Sequence, residues 1–294
     1  MKGDRPDPDK GTTTLPPVAR WVTPARAETP EDVAFLSGAA LAQLHVALGH
    51  ADLPHALLRE RLALGAAAAC VAFAGRPERG PDLRDAVHLM RPGDLPGPAG
   101  ETYVAWRRAV ERPVSVAALH RALPEQSEEA IAAWLDAGQG APIRRAAQTL
   151  ETVLEAMPRG EATALILADA ALARALGWGH AVPLLAAGLK RADLRKSGAD
   201  LRTACHRAVT VTAIDAVRQA ADLTRRAAHL RAVAPKLRAK GAGSAVGLFL
   251  TRDAVAAAAL PLPDRAARRL CDRLVDLGAI RELTGRETFR LYGV

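Results

Sequence analysis

Residues 263–278, PDRAARRLCDRLVDLG, followed directly by residues 279–294, AIRELTGRETFRLYGV, decide how this chain is read. At about 100° per residue, Ala266, Ala267, Leu270, Leu274 and Leu277 fall on one side of a helix. Arg265, Arg268 and Arg269 point away from that side, as do Asp272 and Asp276 further along. The outward face is therefore basic in its first half and acidic in its second. Asp264 reads as the N-cap and Gly278 as the glycine that ends the helix. Residues 279–283 and 288–292 are β-prone runs around a turn containing Gly285, which predicts a hairpin. Upstream, Ala245 to Leu250 reads as a short apolar helix, and Asp253 to Leu260 as a second, capped by Thr251 or Asp253. Three short helices and a hairpin predict a winged helix-turn-helix over residues 243–294.

Such a module points to duplex DNA. A recognition helix places its N-terminal half in the major groove, so Arg265, Arg268, Arg269 and Arg273 are the candidate contacts on the helix. Arg281 and Arg290 on the strands and Arg286 at the hairpin tip are placed to meet phosphates or a minor groove. The charge distribution agrees. Residues 1–189 hold 19 basic and 22 acidic side chains, whereas residues 190–294 hold 21 and 10, a net +11. Overall basicity carries less weight than this asymmetry, because only six of the 40 basic residues are Lys and the chain is rich in Arg, Ala, Gly and Pro. A wing can also contact protein, so an adaptor that binds a protein partner is the first alternative reading.

The remainder of the chain predicts an all-α body over residues 31–235. Aromatic residues make up 3% of the chain and the apolar content is dominated by alanine, the best helix former. Helices are expected over residues 29–48 (with Thr29 as N-cap), 54–74, 82–90, 101–110, 115–123, 127–137 (Ser127 as N-cap), 142–157, 160–177 and 183–189. The longest, about residues 200–234, is expected to bury Val211, Ile214, Val217, Ala221 and Ala228 and to pair Arg218 with Asp222 and Asp222 with Arg226. Residues 1–30 lack periodicity and are expected to form a disordered or loosely tethered tail, with Trp21 anchoring its end. The boundary between body and C-terminal module is placed at Gly241 and Gly243.

Three sequence stretches carry a family resemblance: residues 83–100 (LRDAVHLMRPGDLPGPAG), residues 234–241 (APKLRAKG) and the C-terminal module. Through them the chain resembles an alphaproteobacterial family described only as domain of unknown function 1403, which implies no activity. The C-terminal module is also similar to the wing unit that ends many Fic-type proteins. The nucleotidyl-transfer signature of those proteins, HxFx(D/E)GNGxxR, has no counterpart here, since His180 lies in GHAVP. Nucleotide transfer is therefore not expected, and an enzyme in the helical body is the second alternative reading.

Upstream, the best candidate for ligand binding is the loop from Arg91 to Gly100, which is expected to lack regular structure. Gly93 and Gly97 can expose backbone N–H groups near His88, Arg91 and Asp94, a setting suited to an anion; the competing reading is a rigid connector between helices. No GxxxxGK[ST] or GxGxxG motif is present, so no nucleotide cofactor is expected. Cys70, Cys205 and Cys271 lie far apart and read as buried thiols in a reducing compartment. His45, His50 and His55 recur at five-residue steps, which does not align them on one helix face, so no metal site is expected. The longest apolar run, residues 62–75, is too short to span a bilayer, and residues 1–30 lack the apolar core of a secretory signal. The chain is expected to be cytoplasmic, without membrane contact.

Overall fold

A computed structural model of the chain describes residues 15–294 apart from residues 92, 238, 239 and 287. Three helix starts follow the capping chemistry written in the sequence, whereas Asp264, expected as an N-cap, is itself the first residue of its helix after Pro263. Thr29 and Asp32 form a reciprocal capping box at the start of α1 (Pro30–Leu48). Ser115 caps α5 (Val116–Ala122) and Ser127 caps α6 (Glu128–Asp136), each hydroxyl accepting a bond from a backbone N–H of the first turn. The other body helices are α2 (His55–Phe73), α3 (Gly80–His88), α4 (Gly97–Glu111), α7 (Pro142–Ala156), α8 (Glu161–Ala175), α9 (Leu185–Gly188) and α10 (Gly198–Val233). The fold is mostly α, as expected.

Helix α8 sits at the centre of the body. Every residue from Ala164 to Ala173 is buried, including Asp169, and a helix that is apolar all round must be enclosed by others. Helix α7 packs along α8, α2 packs along α4, and α1 runs along α10, whose 36 residues span about 54 Å at 1.5 Å per residue. The predicted inner face of α1 (Val33, Leu36, Ala40, Leu44, Ala47) is buried throughout. On α10, Ile214 and Val217 are buried, but Val211 is 42% exposed.

Alanine and glycine let the helices approach closely. At Gly188 in α9, a Cβ would stand 2.7 Å from the carbonyl oxygen and 2.8 Å from the Cα of Ala208 on α10. Both are backbone atoms, so neither can swing aside. Gly188→Ala is expected to cost about 1–3 kcal/mol through overpacking, read as a shift in the urea midpoint. An unchanged midpoint would show that α9 does not sit this close to α10.

The C-terminal region comprises α11 (Ala242–Phe249), β1 (Val255–Ala256), a short 3-10 turn (Ala257–Ala259), α12 (Asp264–Asp276), β2 (Arg281–Glu282) and β3 (Leu291–Gly293). The strands form a three-stranded antiparallel sheet in the order β1-β3-β2, with Val255 opposite Tyr292 and Glu282 also opposite Tyr292 on the other edge. Helix α12 buries Ala267, Leu270, Cys271 and Leu274. It ends in a Schellman motif. Gly278, at φ +64°, donates to Val275 O at 2.8 Å, and Ala279 donates to Leu274 O at 2.9 Å. The core is continuous across the Gly241–Gly243 junction, because Val255, Leu270 and Tyr292 belong to the same buried cluster as Leu44, Leu57 and Leu150.

Four expectations are corrected. Residues 253–260 are not a helix: Val255 and Ala256 pair with β3, and the Asp253 carboxylate is drawn into ion pairs rather than capping a turn. Tertiary pairing here overrides the helix propensity of the alanine run. Residues 97–100 are the first turn of α4, because Pro98 near a helix start gives up an N–H that has no partner there anyway. Arg218 pairs with Asp215, three residues back, instead of Asp222, which pairs with Arg225 and Arg226. Within the expected tail, Leu15 and Val22 are buried in the core instead of disordered, while Trp21 serves as the expected anchor by stacking on Phe35 at 5.6 Å; residues 1–14 lie outside the described part. Among the described residues no helix is long and apolar enough to cross a membrane.

Candidate functional site

Helix α12 divides its arginines by angle. Taking the buried stripe as inward, Arg265 and Arg269 stand furthest out, Arg268 lies on one flank and Arg273 on the other. All four are exposed, and none of them forms an ion pair among the described residues. The flank bearing Asp264, Arg268 and Asp272 forms one wall of a cleft of about 750 Å³.

The facing wall comes from the body. His88, at the end of α3, and Arg91 line the same cleft, and the hairpin adds Phe289 and Arg290. Two groups of residues read separately from the sequence, the loop after α3 and the basic helix, thus meet across one space. Gly93, Asp94 and Gly97 do not line it. Asp94 is spent on its own turn, its carboxylate accepting from the Arg91 N–H at 2.8 Å while its N–H donates to Arg91 O at 3.0 Å. Gly93 and Gly97 take positive φ of +94° and +67° on either side of Leu95.

The hairpin arginines are less free than the sequence suggests. Arg286 forms an ion pair with Asp85 on α3, which ties the hairpin tip to the body. Arg290 donates to Arg286 O at 2.9 Å and lies 3.7 Å from the Glu282 carboxylate. Arg281 is exposed on β2. Partial burial, followed by the neighbouring charges of Arg226, Arg61 and Arg84, holds its guanidinium below the usual value.

His88 sits at the buried end of the cleft. Burial, helped by the positive charge of Arg107, lowers its imidazole to about 4, so it is neutral at physiological pH. Among the described residues its Nε2 has no hydrogen-bond partner, and neither does the hydroxyl of fully buried Tyr103, whose ring lies 6.3 Å from that of His88. Both of these unpartnered polar atoms are shielded from solvent beneath the cleft wall that His88 helps to form.

Beneath the cleft runs an ion-pair network that no local signal in the sequence announces. Asp253, fully buried, is gripped by Arg61 and Arg84. Burial by itself would raise the Asp253 carboxyl, but hydrogen bonds and charge from Arg84 and Arg61 outweigh it and hold the group below the ordinary carboxylate range. Glu60 accepts from Arg107 at 2.7 Å, from Arg252 at 3.1 Å and from the Asp253 N–H at 2.8 Å. Arg61 also donates to Val294 O at 3.0 Å. The network stitches α2, α3 and α4 to the segment that leads into β1.

A second cluster is likewise invisible to sequence spacing. His45 and His55, read as unrelated, line one cavity of about 260 Å³ together with His180, Arg59 and Trp178. They converge because α1 ends at Leu48 and α2 begins at His55, so the chain reverses between them.

No curated protein matches the sequence. A family model described as "Protein of unknown function (DUF1403)" matches residues 8–294, nearly the whole length. The chain belongs to the DUF1403 family.

Proposed function

We propose that residues 242–294 form a winged helix that binds duplex DNA through α12. The observation that carries this reading is the outward face of α12, where four arginines without an ion-pair partner among the described residues stand opposite a fully apolar inner stripe. The element order supports it. Helix, strand, short helical turn, helix and a two-stranded hairpin, with the first strand joining the hairpin beside its last strand, is the element order a winged helix would have if its second helix were cut to one 3-10 turn. The helical body then serves as a scaffold and carries no catalytic role.

The pair to test is Arg265 and Arg269, the two outermost side chains. Replacing both with Ala removes only solvated charge, so stability should move by less than about 0.5 kcal/mol per site. If both touch phosphate, the log–log salt slope should shrink by about one for each arginine removed. If either reads a guanine, its removal should cost about 1–3 kcal/mol on a selected site and relax preference there. Fluorescence anisotropy with random duplex and with a selected site, between about 50 and 200 mM salt, distinguishes these outcomes. A folded double variant that binds DNA like its parent removes α12 from the interface.

One observation favours a second reading, a protein-binding adaptor. Phe289, at φ +55°, presents a 61% exposed ring on the hairpin, and Arg286 beside it is already paired with Asp85. An exposed aromatic ring suits a protein partner better than a phosphate backbone. Phe289→Ala should leave DNA binding intact under the first reading and abolish partner capture under the second.

A further inference from the structure

We propose that the cavity between the α1–α2 turn and the α8–α9 connection is a binding site for a small molecule carrying an oxyanion group, held by Arg59, His55 and His180. This site is separate from the α12 surface and does not depend on the DNA reading.

The lining decides the sign of the ligand. Three histidines and one arginine face a space of about 260 Å³, and among the described residues no carboxylate lines it. Helix α2 begins at His55, so the positive end of its backbone dipole adds to the same field. Arg59 donates its Nε to Val110 O at 3.0 Å, which fixes the guanidinium in place and leaves its terminal nitrogens for a ligand. The Trp178 indole N–H donates to Nδ1 of His45 at 2.9 Å. That bond requires a lone pair on Nδ1, so neutral His45 carries its proton on Nε2 and offers a donor. Leu48 and Val182 supply apolar wall for the rest of the molecule. A cavity of this size takes a small metabolite rather than a nucleotide.

The cationic lining of this cavity carries a mutual repulsion that an anion relieves. Burial and then the charge of Arg59 depress the His55 imidazole, and burial, Arg59 and His55 depress that of His180. An oxyanion among them reverses the sign of the local field and favours the protonated rings. Three histidines also raise the question of a metal. Among the described residues, however, no three ligating side chains stand close enough to hold one, and Arg59 would repel a cation.

The test is calorimetric titration of the full chain with inorganic phosphate and, separately, with acetate, alongside NMR of the histidine Cε1–H signals. One-site saturation below about 10 mM by either anion is expected, with His55 and His180 titrating at higher pH once it is bound. The anion that binds more tightly identifies the group as phosphate or carboxylate. His180→Gln and, independently, Arg59→Gln should each weaken binding by about tenfold or more, the loss of one charge-assisted bond, with circular dichroism confirming that each variant is folded. Overturning results are saturation by neither anion, binding within about threefold of the parent in both folded variants, or histidine shifts produced by Zn²⁺ and not by the anions.

Discussion

Asp253→Ala is expected to lower stability by about 3–5 kcal/mol, the usual cost of removing one partner from a buried ion pair. At about 2–4 °C per kcal/mol for a chain of this size, the melting temperature should fall by roughly 10 °C. Asp253 is fully buried, and the side chains of Arg61 and Arg84 that grip it are only 10% and 18% exposed. Without the carboxylate, two guanidiniums face each other in a poorly solvated space, with Arg281 close behind them. Asp253→Asn keeps the shape but not the charge and should recover only part of the loss. Hydrogen exchange adds a spatial readout. Protection should fall first in β1, β3 and α12, whose seam with α2 and α3 this carboxylate holds. A loss under about 1 kcal/mol, spread evenly over the chain, would mean that the network is better solvated than its geometry implies.

The second large effect concerns Asp169, buried at the centre of α8. Its carboxylate oxygens accept from the Leu184 N–H at 3.2 Å and the Leu185 N–H at 3.1 Å, satisfying the start of α9. Burial pushes this carboxyl up to about 8, against the pull of those two amides. Between about pH 4 and 8 the folded chain therefore holds a proton that the unfolded chain has released. The stabilising contribution is fully present below about pH 4 and is lost as pH rises through 8. Asparagine resembles the protonated acid in shape, is uncharged, and keeps an oxygen that can accept from the Leu184 and Leu185 amides. Asp169→Asn should thus cost little near pH 5 and gain on the parent by about 1.4 kcal/mol per pH unit as pH rises toward 8. Asp169→Ala, which orphans two buried amides, should lie about 2–4 kcal/mol below the Asn variant at every pH. Urea unfolding across this range gives both answers, and a pH-independent difference between parent and Asn variant would show that Asp169 is already ionised when folded.

What the sequence made legible was local. Thr29, Ser127 and Gly278 marked helix ends because capping is settled within four or five residues, and the face of α1 was readable because one side of it is uniformly apolar. Residues 253–260 misled because alanine-rich helix propensity is a weak preference, whereas Asp253 answers to Arg61 and Arg84 on distant helices. The meeting of His88 and Arg91 with Arg268, and of His45 and His55 with His180, depends on how helices pack, and neither leaves a periodic trace along the chain. The arginines of α12 were placed correctly on its outer side, but the pairing of Arg286 with Asp85 is tertiary and could not be read locally.

The seam that joins Asp253 to Arg61 spans 192 residues of chain. At about 5–20 residues per second, a ribosome needs roughly 10–40 s to deliver Asp253 after Arg61 has emerged. For that interval α2 and α3 hold their arginines without the carboxylate that neutralises them, and Glu60 lacks both Arg252 and the amide it caps. Until Arg252 and Asp253 arrive, Arg61, Arg84 and Glu60 lack these partners, and a nascent chain stalled before that point carries a charged, unsealed flank.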